Sequence, residues 1–127
     1  MDYSDAKAYL LNKPAAREDY PFGADVLVAK IKGKMFATLS LSDGLGQMNL
    51  KCDPLHAQEL RDLFSAVSAG YHMNKLHWNT VTLDGSIPEG EIQRMIDHSY
   101  ALVVRKLKKP DREQLELRYG PELLYRR

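Results

Sequence analysis

Cysteine is almost absent from this sequence: 127 residues hold one, Cys52. A single thiol excludes an internal disulfide framework and leaves no thiolate pair for zinc. An excess of either charge is also missing, with 18 lysines and arginines against 17 aspartates and glutamates and a formal net charge of +1. Proteins that neutralise a long run of phosphates usually carry a strongly basic balance, and this chain does not. No apolar run approaches the roughly twenty residues that a membrane-spanning helix requires. The acidic start MDYSDAKAYLL lacks the basic-then-apolar order of a secretory leader. A cytoplasmic protein with no membrane association is expected. There is no glycine-rich phosphate loop, because Gly44 and Gly46 precede a strand and do not join a strand to a helix. Internal repeats and low-complexity stretches are absent, and one domain spanning 1–127 is expected.

What is present reads as alternating short elements. Asp2 caps a first helix running to about Asn12, with Ala6, Tyr9 and Leu10 on one face and Lys13-Pro14 as its stop. After the loop REDYPFG, the β-rich runs Val26 to Ile31 and Lys34 to Leu41 flank the turn Lys32-Gly33 as a hairpin. The loop Ser42 to Gly46 leads into a third strand, in which Met48, Leu50 and Cys52 alternate with Gln47, Asn49 and Lys51. Cys52 therefore falls on the apolar side, buried and inert. Asp53-Pro54 opens a second helix through roughly Phe64. Extended segments at Val67 to His72 and Trp78 to Leu83 follow, with a bulge or loop between them. A long helix after Pro88 carries Ile92, Met95, Ile96, Ser99, Val103 and Leu107 on one stripe. A last short helix stops at Gly120 and Pro121, weakly docked or frayed.

The order α-β-β-β-α-β-β-α-(α) lacks the strand-helix alternation of a parallel sheet. The expected class is α+β, a two-layer α/β sandwich with an antiparallel sheet of about five strands and helices packed on one face.

Chemistry concentrates in residues 69–85, AGYHMNKLHWNTVTLDG. His72 and His77 are an odd number of positions apart, so on one regular strand they face opposite sides and make a weak dyad. With Asp84, His56 and His98 they fall in no recognised ligand spacing, and neither a metal nor another cofactor is expected. His56 and His98 read as histidines hydrogen-bonded to neighbours beside the apolar stripes of their helices. The Asn74 and Asn79 amides, the Lys75 ammonium, the imidazoles, the Tyr71 phenol and the Trp78 indole suit anions and stacked rings. On physics alone Trp78 reads first as a core plug, whose loss would then cost roughly 3–5 kcal/mol, Asn74 also fits a turn, and Lys75 and His77 are expected to face outward. Lys30, Lys32 and Lys34 gather at the first hairpin, and Arg105, Lys106, Lys108, Lys109, Arg112, Arg118, Arg126 and Arg127 outnumber the acids of the C-terminal segment.

The runs Glu18 to Leu41, Met48 to Pro54, Gly70 to Pro88 and Met95 to Leu107 closely resemble the MmcQ/YjbR family, in the same order and without large gaps. The resemblance covers a core of about 1–107 and leaves 108–127 as a C-terminal extension. It implies helices packed on an antiparallel sheet, similar to CyaY-like and secretion-chaperone-like folds. Members are commonly described as DNA-binding proteins with a double-wing motif and no established catalytic activity. Carried onto this sequence, the wings are the region of Lys32-Gly33 or the Ser42 to Gly46 loop, together with Met73 to Trp78. The expectation is a non-enzymatic, monomeric DNA-binding module. Lys30, Lys32, Lys34, His72, Asn74, Lys75, His77 and Asn79 are its candidate contacts, and Tyr71 and Trp78 are structural or stacking residues. The alternative is a chaperone-like domain that binds a protein or small ligand through the Tyr71 to Trp78 surface.

Overall fold

A computed structural model describes residues 1–126, and Arg127 of the basic C-terminal cluster lies outside the described residues. Eleven elements run in the order α1 (Tyr3–Leu11), β1 (Arg17–Asp19), β2 (Leu27–Ile31), β3 (Lys34–Ser42), β4 (Leu45–Lys51), α2 (Pro54–Leu63), β5 (Val67–Ala69), β6 (Trp78–Leu83), α3 (Glu89–Arg105), α4 (Lys109–Tyr119) and α5 (Pro121–Leu124). The strands form one antiparallel sheet of six, ordered β1-β2-β3-β4-β6-β5. One strand more than expected is present. Arg17-Glu18-Asp19 has no apolar residue to signal a strand, yet it pairs with Lys30, Ala29 and Val28 at the edge of β2.

Local chemistry sets the element boundaries. Asp2 accepts from the Asp5 amide at 2.9 Å while Asp5 accepts from the Asp2 amide at 3.1 Å, a reciprocal box that satisfies two donors at the start of α1. Both hairpin turns place two successive residues at positive φ, Lys32 and Gly33 at 51° and 78° and Asp43 and Gly44 at 52° and 79°. That combination matches the right-handed twist of the flanking strands. Between β2 and β3 the register shifts so that Ala29 faces Ala37 while Lys30 faces Met35. The extra residue, Phe36, enters the core and meets Tyr100 edge-to-face, with centroids 5.2 Å apart.

The inner face of the sheet carries Leu27, Ala29, Ala37, Leu39, Met48, Leu50, Val81 and Leu83, covered by Ala6 and Leu10 of α1, Ala57 and Leu60 of α2, and the expected stripe of α3. Ser99 stands in that stripe because two strands need it. Its hydroxyl accepts from the Lys51 amide at 2.9 Å and donates to the Phe36 carbonyl at 2.5 Å. A polar staple joins the end of α1 to α3: Asp97 Oδ1 accepts from Lys13 Nζ and from the Tyr9 hydroxyl, each at 2.8 Å. Beside it the Tyr100 hydroxyl donates to the Pro14 carbonyl at 2.6 Å. Burial and the adjacent Asp97 carboxylate push the Tyr9 phenol up to about 12.

The C-terminal segment is docked. Leu115 and Leu124 are buried in the same core, so the weak docking or fraying expected of the last helix does not occur among the described residues. Cys52 is buried as expected, and desolvation raises its thiol to about 11.

Candidate nucleic-acid interface

Strand direction determines which loops share an end of the sheet. β2 runs toward the Lys32-Gly33 turn, β3 runs away from it, and β4 returns to finish at Lys51. Lys51 pairs with Trp78, the first residue of β6, and Ala69 at the end of β5 pairs with Asn79. The loop of residues 70–77 therefore leaves from the same end as the Lys32-Gly33 turn. The Ser42 to Gly46 turn lies at the opposite end. Of the two first-projection candidates read from the sequence, only Lys32-Gly33 accompanies the Met73 to Trp78 segment. With strands about 4.8 Å apart, the two projections stand roughly 14 Å from each other, with the end of β4 between them.

The second projection is a braced loop. Asn74 Oδ1 accepts from the Leu76 amide at 2.9 Å and turns the chain, which is the role its residue type allowed. The Lys75 ammonium donates to the Gly70 carbonyl at 3.2 Å, and Arg61 of α2 donates to the Lys75 carbonyl. The Tyr71 amide donates to Thr80 Oγ1 at 2.9 Å, which folds the loop start over the outer face of the sheet. Thr80 in turn donates to Asn49, whose amide nitrogen donates to Thr38, so three strands share one polar row. His72 sits at φ 57°, in the left-handed region that histidine enters more often than most non-glycine residues, and its ring centroid lies 4.0 Å from that of Tyr71.

Of the expected contacts, Asn79 is misplaced. It is 2% exposed, takes the Arg61 Nε donor at 2.8 Å on its oxygen and donates to the Ala57 carbonyl at 3.2 Å. Strand parity puts it on the inner face beside Val81, where it ties α2 to β6 and is closed to any ligand. The same parity puts Trp78 on the outer face with Thr80 and Thr82, half-buried and paired with Lys51, so it is not a core plug. Tyr71 is 62% exposed. Lys30 is engaged by Asp19 at 2.7 Å, and Lys32 donates to Gln114 of α4. Lys34, His72, Asn74 and Lys75 are exposed and His77 is half-buried. The hairpin lysines and the loop are thus at one end of the sheet but on separate projections.

Two residues of this end escaped the sequence reading. Arg61 organises the loop from α2, one residue beyond buried Leu60, and that adjacency is its only sequence signal. Lys51 lies between the projections. Burial first, and the Lys106 charge second, hold its ammonium below the ordinary lysine range. Its position at the end of an alternating strand was legible, and its place across from Trp78 was not.

A family model, YjbR, matches residues 11–102. The chain belongs to the YjbR family. It is 34% identical over 113 residues to the uncharacterized protein YbdF of Escherichia coli O157:H7, across 89% of this chain and 93% of that protein. It is 32% identical over 115 residues to the uncharacterized protein YjbR of Escherichia coli strain K12, across 91% and 98%. The crystal structure of the Deinococcus radiodurans protein DR2400, a DUF419 domain, superposes with a TM-score of 0.83 at 33% identity, covering 90% of this chain and 87% of that one. A Pseudomonas syringae protein gives a TM-score of 0.71 at 28% identity over 80% of this chain. The YjbR match holds all six strands and both projections and ends inside α3. Gln114, the partner of Lys32, lies beyond it.

Proposed function

We propose that the chain is a non-enzymatic module that grips duplex DNA with the end of the sheet bearing the Lys32-Gly33 turn and the loop of residues 70–77. The supporting observation is that both projections leave the same sheet end, roughly 14 Å apart by strand spacing, close to the ~12 Å width of a major groove. Lys34 contacts phosphate from the first projection, and Lys75, exposed while it also donates to the Gly70 carbonyl, contacts phosphate from the second. Lys51 supplies positive charge between them, and Tyr71 and Trp78 offer flat faces to sugar or base. Lys30 and Lys32 act by holding the first projection in place through Asp19 and Gln114.

The test is a fluorescence-anisotropy titration of a labelled duplex at several salt concentrations. Binding weakens steeply with salt, and a Lys34→Ala, Lys75→Ala double variant lowers the log-log slope by about 2, since each phosphate contact contributes roughly 0.9. No binding at low salt, or an unchanged slope in the double variant, overturns the proposal.

A second reading, docking of a protein or small ligand, draws on one feature. Tyr71 and Leu76 are 62% and 61% exposed on the same loop. It expects Trp78 emission to shift on adding a nuclease-treated extract fraction, with the shift lost in Tyr71→Ser, Leu76→Ser.

A further inference from the structure

Away from the two projections, α2, α3 and the segment after α5 enclose a groove of about 540 Å³ lined by His56, Arg94, His98, Ala101, Arg105 and Arg126. Arg94, His98, Ala101 and Arg105 recur at the spacing of one helical face, and Ala101 leaves the floor open between the longer side chains. His56 enters from the first turn of α2. No carboxylate is among the described residues that line it. Acids at its margins have other partners: Glu91 holds Arg94 at 2.7 Å, Glu59 lies 3.5 Å from His56 Nδ1, Asp53 caps the Leu55 and His56 amides, and Glu116 lies beside Tyr125 and 3.4 Å from Arg112. The Arg105 guanidinium lies over the Tyr125 ring, 4.9 Å from its centroid.

Arg105, Arg126 and two imidazoles share this cavity with Arg94, whose charge Glu91 partly offsets. Burial first, and the His56 and Arg105 charges after it, hold the His98 imidazole below the ordinary range, with Asp53 opposing. Its Nε2 is buried and has no hydrogen-bond partner among the described residues, which a buried polar atom seldom tolerates. The His98 ring meets His56 edge-to-face at 5.4 Å, so both imidazoles adjoin the same space.

We propose that this groove binds a phosphomonoester dianion. Guanidinium N–H forks and imidazole N–H groups are donors from which phosphate oxygens accept. A dianion also offsets more of the lining's positive charge than a single carboxylate, which occupies one fork. The groove is far larger than a phosphate group, so the ester carries a body, either a small metabolite or the 5′ end of a nucleic-acid strand. The site is independent of the duplex-binding reading, sharing none of the residues named there.

The test uses the full chain and follows histidine ring resonances by NMR as inorganic phosphate replaces chloride at constant ionic strength. His56 and His98 should shift saturably while His72 and His77 stay still, and the titration midpoint of His98 should rise when phosphate is bound. Arg94→Gln, at an exposed position, should keep the fold and weaken phosphate about tenfold, the usual weight of one charge-assisted hydrogen bond. Glycerol 3-phosphate and a 5′-phosphorylated tetranucleotide, compared with its 5′-hydroxyl form, identify the source. Tighter binding of the phosphorylated strand assigns a strand end, and equal or tighter binding of glycerol phosphate assigns a small ester. Shifts no larger than chloride produces, equal shifts at all four histidines, or an unchanged affinity in Arg94→Gln overturn the proposal.

Discussion

Replacing Asp97 with leucine tests whether the staple between α1 and α3 holds through charge. The Lys13 ammonium and the Asp97 carboxylate are 2.8 Å apart with side chains 8% and 6% exposed. At an effective dielectric of about 20 such charges attract by roughly 6 kcal/mol, most of it offset by the loss of several kcal/mol of hydration on each ion. The intact pair is therefore worth little, and the broken pair costs much. In Asp97→Leu the ammonium stays buried, with the Tyr9 and Tyr100 rings at 5.9 and 5.1 Å left to soften it. The expected loss is about 3–5 kcal/mol, a large share of the roughly 5–15 kcal/mol that holds a domain together. Lys13→Met alone should cost less than Asp97→Leu, because the carboxylate keeps the Tyr9 hydroxyl at 2.8 Å. Lys13→Met with Asp97→Leu should return to within about 1 kcal/mol of the parent, since no unpaired charge is then buried. Urea denaturation of the four proteins, compared at equal m-values, gives the coupling directly. If the double variant loses the sum of the two single losses, the pair is not coupled and the reasoning fails.

Gly46→Ala should cost about 1–3 kcal/mol in the same assay, because a Cβ there meets Leu83 Cδ1 at 2.8 Å and the Tyr3 backbone at 3.3 Å, and only the leucine can move easily. Trp78→Ala should cost about 1–2 kcal/mol, well short of a core tryptophan, since the ring is half-buried on the polar face; a loss above 3 kcal/mol would mean it is core after all. Stability should fall as pH drops below about 6.5, because the unfolded chain protonates His98 before the folded one does, and His98→Gln should flatten that decline in urea midpoints measured between pH 7.5 and 5.5.

Most of the fold was legible because its signals are local. The apolar alternation of Met48, Leu50 and Cys52, the α3 stripe and the Asp2 and Asp53 caps each act over a few residues, and each is found where its pattern predicts. β1 was illegible for the converse reason. Arg17, Glu18 and Asp19 are all exposed, and only the open edge of β2 makes them a strand. The site was partly legible. Residue type identified the loop around Asn74 and Lys75, but the face of Asn79 depends on where β6 begins, and one position of phase sends its amide inward to Arg61 and Ala57. His98 belongs to the same class: its neighbours, His56 and Arg105, come from α2 and one helical face of α3, and no spacing rule relates the first to the others.

The three charged residues of β1 also bear on what this sheet does in company. β2 behind it, Leu27 to Ile31, is almost wholly apolar, and left open it would offer a row of free amides and carbonyls to any extended chain. β1 occupies that row with Arg17-Glu18-Asp19, and at the other border β5 is equally brief, three residues beside the six of β6. A sheet bordered this way gives a neighbouring copy too little edge for strand-by-strand polymerisation. The charged stretch that carries no hydrophobic signal thus fills the β2 edge and leaves only three exposed, charged residues at that border of the sheet.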